Sequence, residues 1–327
     1  MIQSFLLVSI LLITVAIFIR SSNKDIIKGK EIFNIELKNA YRGVAILMVI
    51  IQHCSGKLGT NVFTPLGGMG VAVFLVLSGF GLSESYKKKG ILGFVSKKLW
   101  RVWLPFFLFY IVIYLLHENY DSKTFLQNVL SIHQDDYWYV HYMLRCYLVF
   151  WFAYRFVYPY RWGILAIFSC YTFFGMGAIC AEQCLSFPLG ILLSEKRFIL
   201  DLITKKSTMK WAFAFCVLGI TFLIIKQIPE IRAFMGTYIY SIVELGIKLP
   251  LGLGVVLILW MLPTAWVINP FLVLCGTLSY ELYLVHMQML EVVQSAVSAS
   301  MILLVSLLLA YSMSTATKYL QNIVFKQ

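Results

Sequence analysis

Arg42 and His53 stand eleven residues apart in Asn39-Ala-Tyr-Arg-Gly-Val-Ala-Ile-Leu-Met-Val-Ile-Ile-Gln-His53. Apart from Gln52, everything between them is small or apolar. A helix turns about 100° per residue, so this spacing returns to within about 20° of its start. The two side chains then share one face, about 16 Å apart along the axis. A guanidinium offers a planar fork that suits phosphate. An imidazole that titrates near neutrality can act as a base on a hydroxyl, or can itself accept an acyl group. A long anion with phosphates at Arg42 and a reactive end at His53 has the form of coenzyme A. On spacing alone, an interfacial cation and a hydrogen-bonded packing histidine fit equally well.

The elements that hold this pair follow from composition. The chain has 327 residues, is 60% hydrophobic and 13% charged, and has a mean hydropathy of +0.82. Apolar runs of about 20 residues recur, each long enough to cross about 30 Å of hydrocarbon. They lack the strict alternation of barrel strands, so the expected fold is all-α, a polytopic transmembrane helical bundle. Eleven spans are expected, near 2–19, 41–56, 67–85, 102–117, 137–153, 162–180, 182–193, 211–226, 237–262, 269–290 and 297–316. The seventh is short and contains Pro188, which suits a half-span or a re-entrant piece. In the ninth, Pro250 predicts a kink. Ionisable groups inside such spans are costly, which makes His53 and Arg145 candidates for function.

Of the 27 Lys and Arg, 21 fall in one set of alternating loops. Four (Lys57, Lys123, Lys226 and Arg232) fall in the other set, with Arg145 and Lys248 inside spans. The positive-inside bias then predicts an external N-terminus and a cytoplasmic C-terminus. The net charge of +12 reads as topology signal and attraction to anionic lipid heads, not as a nucleic-acid footprint. The first span lacks a basic leader and a clear cleavage site, so it reads as a retained helix. The seven cysteines show no metal-ligand spacing and read mostly as small buried hydrophobes, and no metal is expected. The 117–136 loop carries Glu118, Asp121, Asp135 and Asp136 among aromatics. It suits a solvated loop or a contact with sugar.

Further motifs occur in order along the chain. They are Gly67-Gly-Met-Gly-Val-Ala-Val-Phe-Leu-Val-Leu-Ser-Gly-Phe80, Lys98-Leu-Trp-Arg-Val-Trp-Leu-Pro105 and Gly276-Thr-Leu-Ser-Tyr-Glu-Leu-Tyr-Leu-Val-His286. Together with the Arg42–His53 element, they make the chain resemble the acyltransferase-3 family of integral-membrane O-acyltransferases from about residue 36 to 316. Phe187-Pro-Leu-Gly190 and Asp136-Tyr-Trp-Tyr139 match weaker family patterns. The resemblance implies a ten-helix core within an acyltransferase domain at 36–327, preceded by an extra helix and basic loop at 1–35. It implies an acetyl-CoA donor from the cytoplasm. The acceptor would be a hydroxyl of a cell-surface or exopolysaccharide glycan, or of its lipid-linked precursor, and the protein would be multi-pass in the cell membrane. It also implies His53 as the catalytic residue, with Arg42, Arg101 and Lys98 on the coenzyme.

His286, Ser279, Trp138 and Arg145 are candidates for the acceptor side. For His286 a hydrogen-bonded packing role is the alternative. For Arg145 it is an ion pair with Glu182, Glu244, Glu281 or Glu291. Lys97 reads as ordinary interfacial charge, and Ser78-Gly79 as a close helix contact. The sequence departs from the family at Asn39, where an acidic residue is usual, and at Lys98, where Arg is usual and the fork is lost. No SGNH-type esterase domain follows, so a stand-alone member is expected. The rival reading is a glycan exporter without acyl chemistry, which would not call for a phosphate clamp aligned with a base.

Overall fold

The computed structural model describes residues 1–19, 32–116, 121–131, 136–202 and 205–325. Glu118 and Asp135 lie outside the described residues. Helices occupy each of the eleven apolar stretches. Among the described residues, five helices are long and apolar enough to cross a membrane, six if one bent pair counts as a single span.

α1 (Ile2–Ile17) lays Leu7 and Leu11 into the core, and its Gln3 accepts a hydrogen bond from the Ala296 amide. α2 (Ile35–Lys57) starts where the Asn34 side chain accepts from the Leu37 amide at 2.8 Å. Glu36 in its first turn and Lys57 in its last complement the helix dipole. Because α2 is unbroken from 35 to 57, Arg42 and His53 sit on one continuous rod. α3 (Thr64–Lys89) begins with a proline in its first turn and ends in Lys87, Lys88 and Lys89. α4 (Phe94–Leu116) starts after Gly93 at φ 67° and contains a π-helical turn at Leu99–Trp103. Arg101 lies in that widened turn, a distortion often found at functional sites.

α5 (Ser122–Val129) is capped by the Asp121 carboxylate. It folds back along α4, with Phe125 against Tyr114 and Phe107 and the Trp103 indole donating to the Val129 carbonyl. Part of the stretch expected as an outer loop is therefore packed against a span. α6 (Trp138–Arg155) runs beside α4 in the opposite sense. α7 (Arg161–Gly175) and a connection with one helical turn at Ala178–Ala181 lead to α8 (Ser186–Glu195). Pro188 lies in the first turn of α8, where its missing amide is tolerated, so it starts a short helix rather than bending a long one. α8 crosses α3 closely: a Cβ on Gly79 would collide with the Phe187 carbonyl, and one on Gly190 with the Val76 carbonyl.

α9 (Lys205–Ile225) pairs with α10 (Tyr238–Met261), which continues as one helix through Pro250. Lys226, Glu244, Lys248 and Glu182 form a chain of ion pairs there. The expected span at 269–290 is two helices, α11 (Pro270–Thr277) and α12 (Ser279–Gln288), bent by 77°. α11 presses on α2. Gly43 faces the Leu272 carbonyl and Gly276 the Asn39 carbonyl so closely that a Cβ on either would clash. α13 (Ala296–Phe325) closes the bundle. All seven cysteines are free, five of them buried.

Candidate functional site

At the Lys- and Arg-rich end of the bundle, α2, α3, α4 and α6 enclose a cavity of about 230 Å³. Arg42, Lys89, Lys97, Lys98 and Arg101 line it, with Ser78, Phe94 and Tyr147, and no carboxylate is among its lining residues. None of the five cations makes an ion pair among the described residues. Five uncompensated cations around one cavity make an anion site, and the arginine forks suit phosphate oxygens. The Lys98 ammonium lies 4.3 Å from the Tyr147 ring centroid and 5.7 Å from that of Phe94. That cation–π seat fixes a lysine where the family pattern has arginine. Lys97, read from sequence as interfacial charge, is on the cavity wall. Lys89 was missed because it belongs to an ordinary basic helix end; it reaches the cavity because it shares a face of α3 with Ser78, Gly81, Leu82 and Ser85.

A column of aromatic side chains leads from this cavity along α2. Tyr147 donates to Ser78 Oγ at 3.4 Å. Two turns on, Tyr139 packs on Phe74 at 5.9 Å and on Tyr283 at 5.2 Å. Tyr283 lies 5.7 Å from His286, whose ring centroid is 5.4 Å from that of His53. Arg42 is close enough to Tyr139 and Tyr147 to act on both electrostatically. The cationic cavity and the two histidines are thus the ends of one column of packed side chains, about 16 Å long on the helix rise.

The chemistry of the histidine pair follows from one hydrogen bond. His286 Nδ1 is 2.9 Å from the Leu282 carbonyl. A carbonyl only accepts, so Nδ1 carries the proton and Nε2 keeps its lone pair. That Nε2 is buried and has no partner among the described residues. His53 is half-buried, and the Asp136 carboxylate is near enough to act on it electrostatically. Two imidazoles side by side, one with a fixed free lone pair, can take up and hand on a proton.

The other candidates are placed apart. Ser279 starts α12, one helix face but about 10 Å toward the basic end from His286. Trp138 is half-buried at the start of α6, 6.3 Å from the Tyr139 ring. Arg145 donates to the Ser131 carbonyl at 2.9 Å, and His141 Nδ1 meets the Ser131 hydroxyl at 3.0 Å. Where an ion pair with a glutamate was the alternative to an acceptor-side role, Arg145 meets a backbone carbonyl, because α5 folds back to reach it. Glu182 and Glu244 are taken by Lys248 and Lys226. Among the described residues no three His, Cys, Asp or Glu side chains gather as metal ligands would.

Residues 39–318 match the sequence model of the acyltransferase-3 family, described as an acyltransferase domain. The chain belongs to this family. No curated protein and no solved structure matches it. Membership makes the protein a membrane acyltransferase, which moves an acyl group from a donor to an acceptor. In this acyltransferase the match begins at Asn39, three residues before Arg42, and includes both histidines and all the cations of the cavity.

Proposed function

We propose that the protein is an O-acetyltransferase that takes acetyl from cytoplasmic acetyl-CoA and transfers it to a hydroxyl of a cell-surface glycan or its membrane-bound precursor. The observation that carries this reading is the alignment along α2 of a five-cation cavity, without ion pairs among the described residues, with a histidine pair about three turns further on. Arg42, Arg101 and Lys98 hold the phosphates of the coenzyme, with Lys89 and Lys97 on the rim. The pantetheine arm follows Tyr147 and Tyr139 toward His53.

His53 takes the proton of the acceptor hydroxyl while the hydroxyl oxygen forms a bond to the thioester carbonyl carbon. The carbon–sulfur bond breaks, and the proton passes from the imidazole to the departing thiolate. His286 Nε2 accepts a hydrogen bond from His53 or from the acceptor hydroxyl, keeping the pair oriented. The placement of the cations and the histidines at opposite ends of α2 supports a donor on the basic face and an acceptor on the opposite face, with the acyl group carried along α2.

The test is mass analysis of surface glycan from cells carrying wild-type protein, His53→Ala protein or none. Loss of acetyl groups in the last two with unchanged glycan export supports the reading. Full acetylation with His53→Ala, or glycan retained inside the cell without a change in acetylation, overturns it.

A further inference from the structure

The ion-pair chain Lys226–Glu244–Lys248–Glu182 has no part in the chemistry proposed so far. It starts at Lys226, the residue after α9, at the end of the bundle far from the cationic cavity. It runs inward to Lys248, about 15 Å along α10 from Tyr238. Lys248 meets Glu244 at 3.2 Å and Glu182 on the connection before α8. Its stem lies on Gly68 of α3, where a Cβ would collide with it. A Cβ on Gly67 would collide with the Gln52 side chain instead. Gln52 and Lys248 therefore flank one peptide unit of α3, and Gln52 is the residue before His53. Gln183 steadies the arrangement: it donates to the Gly68 carbonyl at 2.9 Å and accepts from Ser186 Oγ at 2.9 Å.

Ion pairs that only tie helices together leave few atoms over. Glu84 accepts from Lys87 and Ser194 through Oε1 and from Arg197 through Oε2. Glu195 accepts from Arg161 through both oxygens, and from Tyr154 as well. Glu182 differs. Among the described residues it accepts only from Lys248, through Oε2, and its Oε1 has no partner. Lys248 meets two carboxylates and has three protons to donate. The half-buried Gln52 amide makes no hydrogen bond among the described residues. The Lys248 and Glu182 side chains keep 15% and 12% of their surface exposed, so the spare atoms can be reached. A carboxylate oxygen, an ammonium proton and an amide together accept and donate, as hydroxyl groups require. Charged groups at membrane depth mark substrate positions more often than they add stability.

We propose that Glu182, Lys248 and Gln52 seat the acceptor, binding hydroxyls that neighbour the one acylated at His53. This rests on the acyl-transfer reading above and assigns the residues that position the acceptor in it. Glu182 Oε1 accepts from an acceptor hydroxyl, and the third Lys248 proton donates to the oxygen of one beside it. The Gln52 amide holds the ring next to the imidazole. Lys226 and Glu244 keep the Lys248 ammonium and the Glu182 carboxylate charged and in place, as positioning residues.

The full chain in lipid nanodiscs tests this. The donor is acetyl-CoA, and the acceptor is surface glycan from cells that carry the protein, stripped of its acetyl groups with mild base. Glu182→Gln keeps the size of the side chain and leaves Lys248 paired with Glu244. It should raise KM for the glycan about tenfold or more, as losing a hydrogen bond to a charged group does. Gln52→Leu, which breaks no contact among the described residues, should raise it about fivefold. In both variants KM for acetyl-CoA and coenzyme A affinity by calorimetry should stay as in the wild type. Glu230→Gln, on the exposed connection after α9, should change neither KM. An unchanged glycan KM in Gln52→Leu, or equal rises in both KM values in either variant, overturns the proposal. If Glu182→Gln melts early, Gln52→Leu alone decides. If wild-type protein transfers no acetyl group, the acyl-transfer reading fails. Calorimetry with the stripped glycan then decides the seat: weaker binding in Gln52→Leu supports it, and equal binding overturns it.

Discussion

At the scale of single residues, the site divides into groups that hold charge and groups that move a proton. A base positioned on a reacting hydroxyl contributes roughly 10²–10⁴ in rate. His53→Ala is therefore expected to lower kcat by about that factor while acetyl-CoA still binds, which a transfer assay and calorimetry on the same protein would read. Equal loss of coenzyme binding would place His53 in the cavity instead. For the cations, hydrogen bonds to charged groups are worth about 1.5–3 kcal/mol. Arg101→Ala should weaken coenzyme A binding by about tenfold or more. Arg101→Lys should recover part of it, because charge returns without the fork. Binding that does not change in either variant removes Arg101 from the site. The spacing from Arg42 to His53 was legible from sequence because both lie on one helix. Lys89 and Lys97 were not, because nothing local distinguishes a cavity-lining lysine from an interfacial one.

At the scale of elements, the helices approach each other through glycine. In a bundle without a strong hydrophobic drive between helices, close backbone contact supplies much of the packing. Gly43 on α2 and Gly276 on α11 face each other's helix with no room for a methyl group. Gly276→Ala is expected to cost about 1–3 kcal/mol, as overpacking does, and to lower Tm in detergent. An unchanged Tm would mean that the helices can separate freely. Glu195, at the end of α8, accepts from Arg161 at 3.0 and 2.8 Å and from the Tyr154 hydroxyl at 2.5 Å. Burial pushes its carboxyl up, but these donors outweigh burial and hold it below the ordinary carboxylate range. Its stabilising contribution is therefore present above the unfolded value, about 4.3, and is lost as pH falls through the folded one. Melting between neutral and acid pH should show a loss in the wild type that is smaller in Glu195→Gln. The break between α11 and α12 was not legible. Thr277-Leu278-Ser279 contains no proline, and the run reads as one span until α11 is seated on α2.

At the scale of the whole molecule, the basic residues gather at one end and the histidine pair lies toward the other. The loop charges predict that the basic end is cytoplasmic. In a Cys170→Ser background, which removes the one exposed thiol, Lys57→Cys should react with an impermeant maleimide in intact cells. Lys88→Cys should react only after permeabilisation, and the reverse pattern would invert the donor and acceptor faces.

Hydropathy and helical periodicity are local properties, so the chain alone specified a helical membrane bundle, the Arg42–His53 rod and the family motifs. The cation-lined cavity and the pairing of His53 with His286 depend on which helices pack together. That is set by glycine contacts, by the bend at Leu278 and by the return of α5 along α4, none of which a linear pattern records. Arg145 illustrates the difference: its cost inside a span was plain from sequence, but its partner, the Ser131 carbonyl, exists only because the chain folds back.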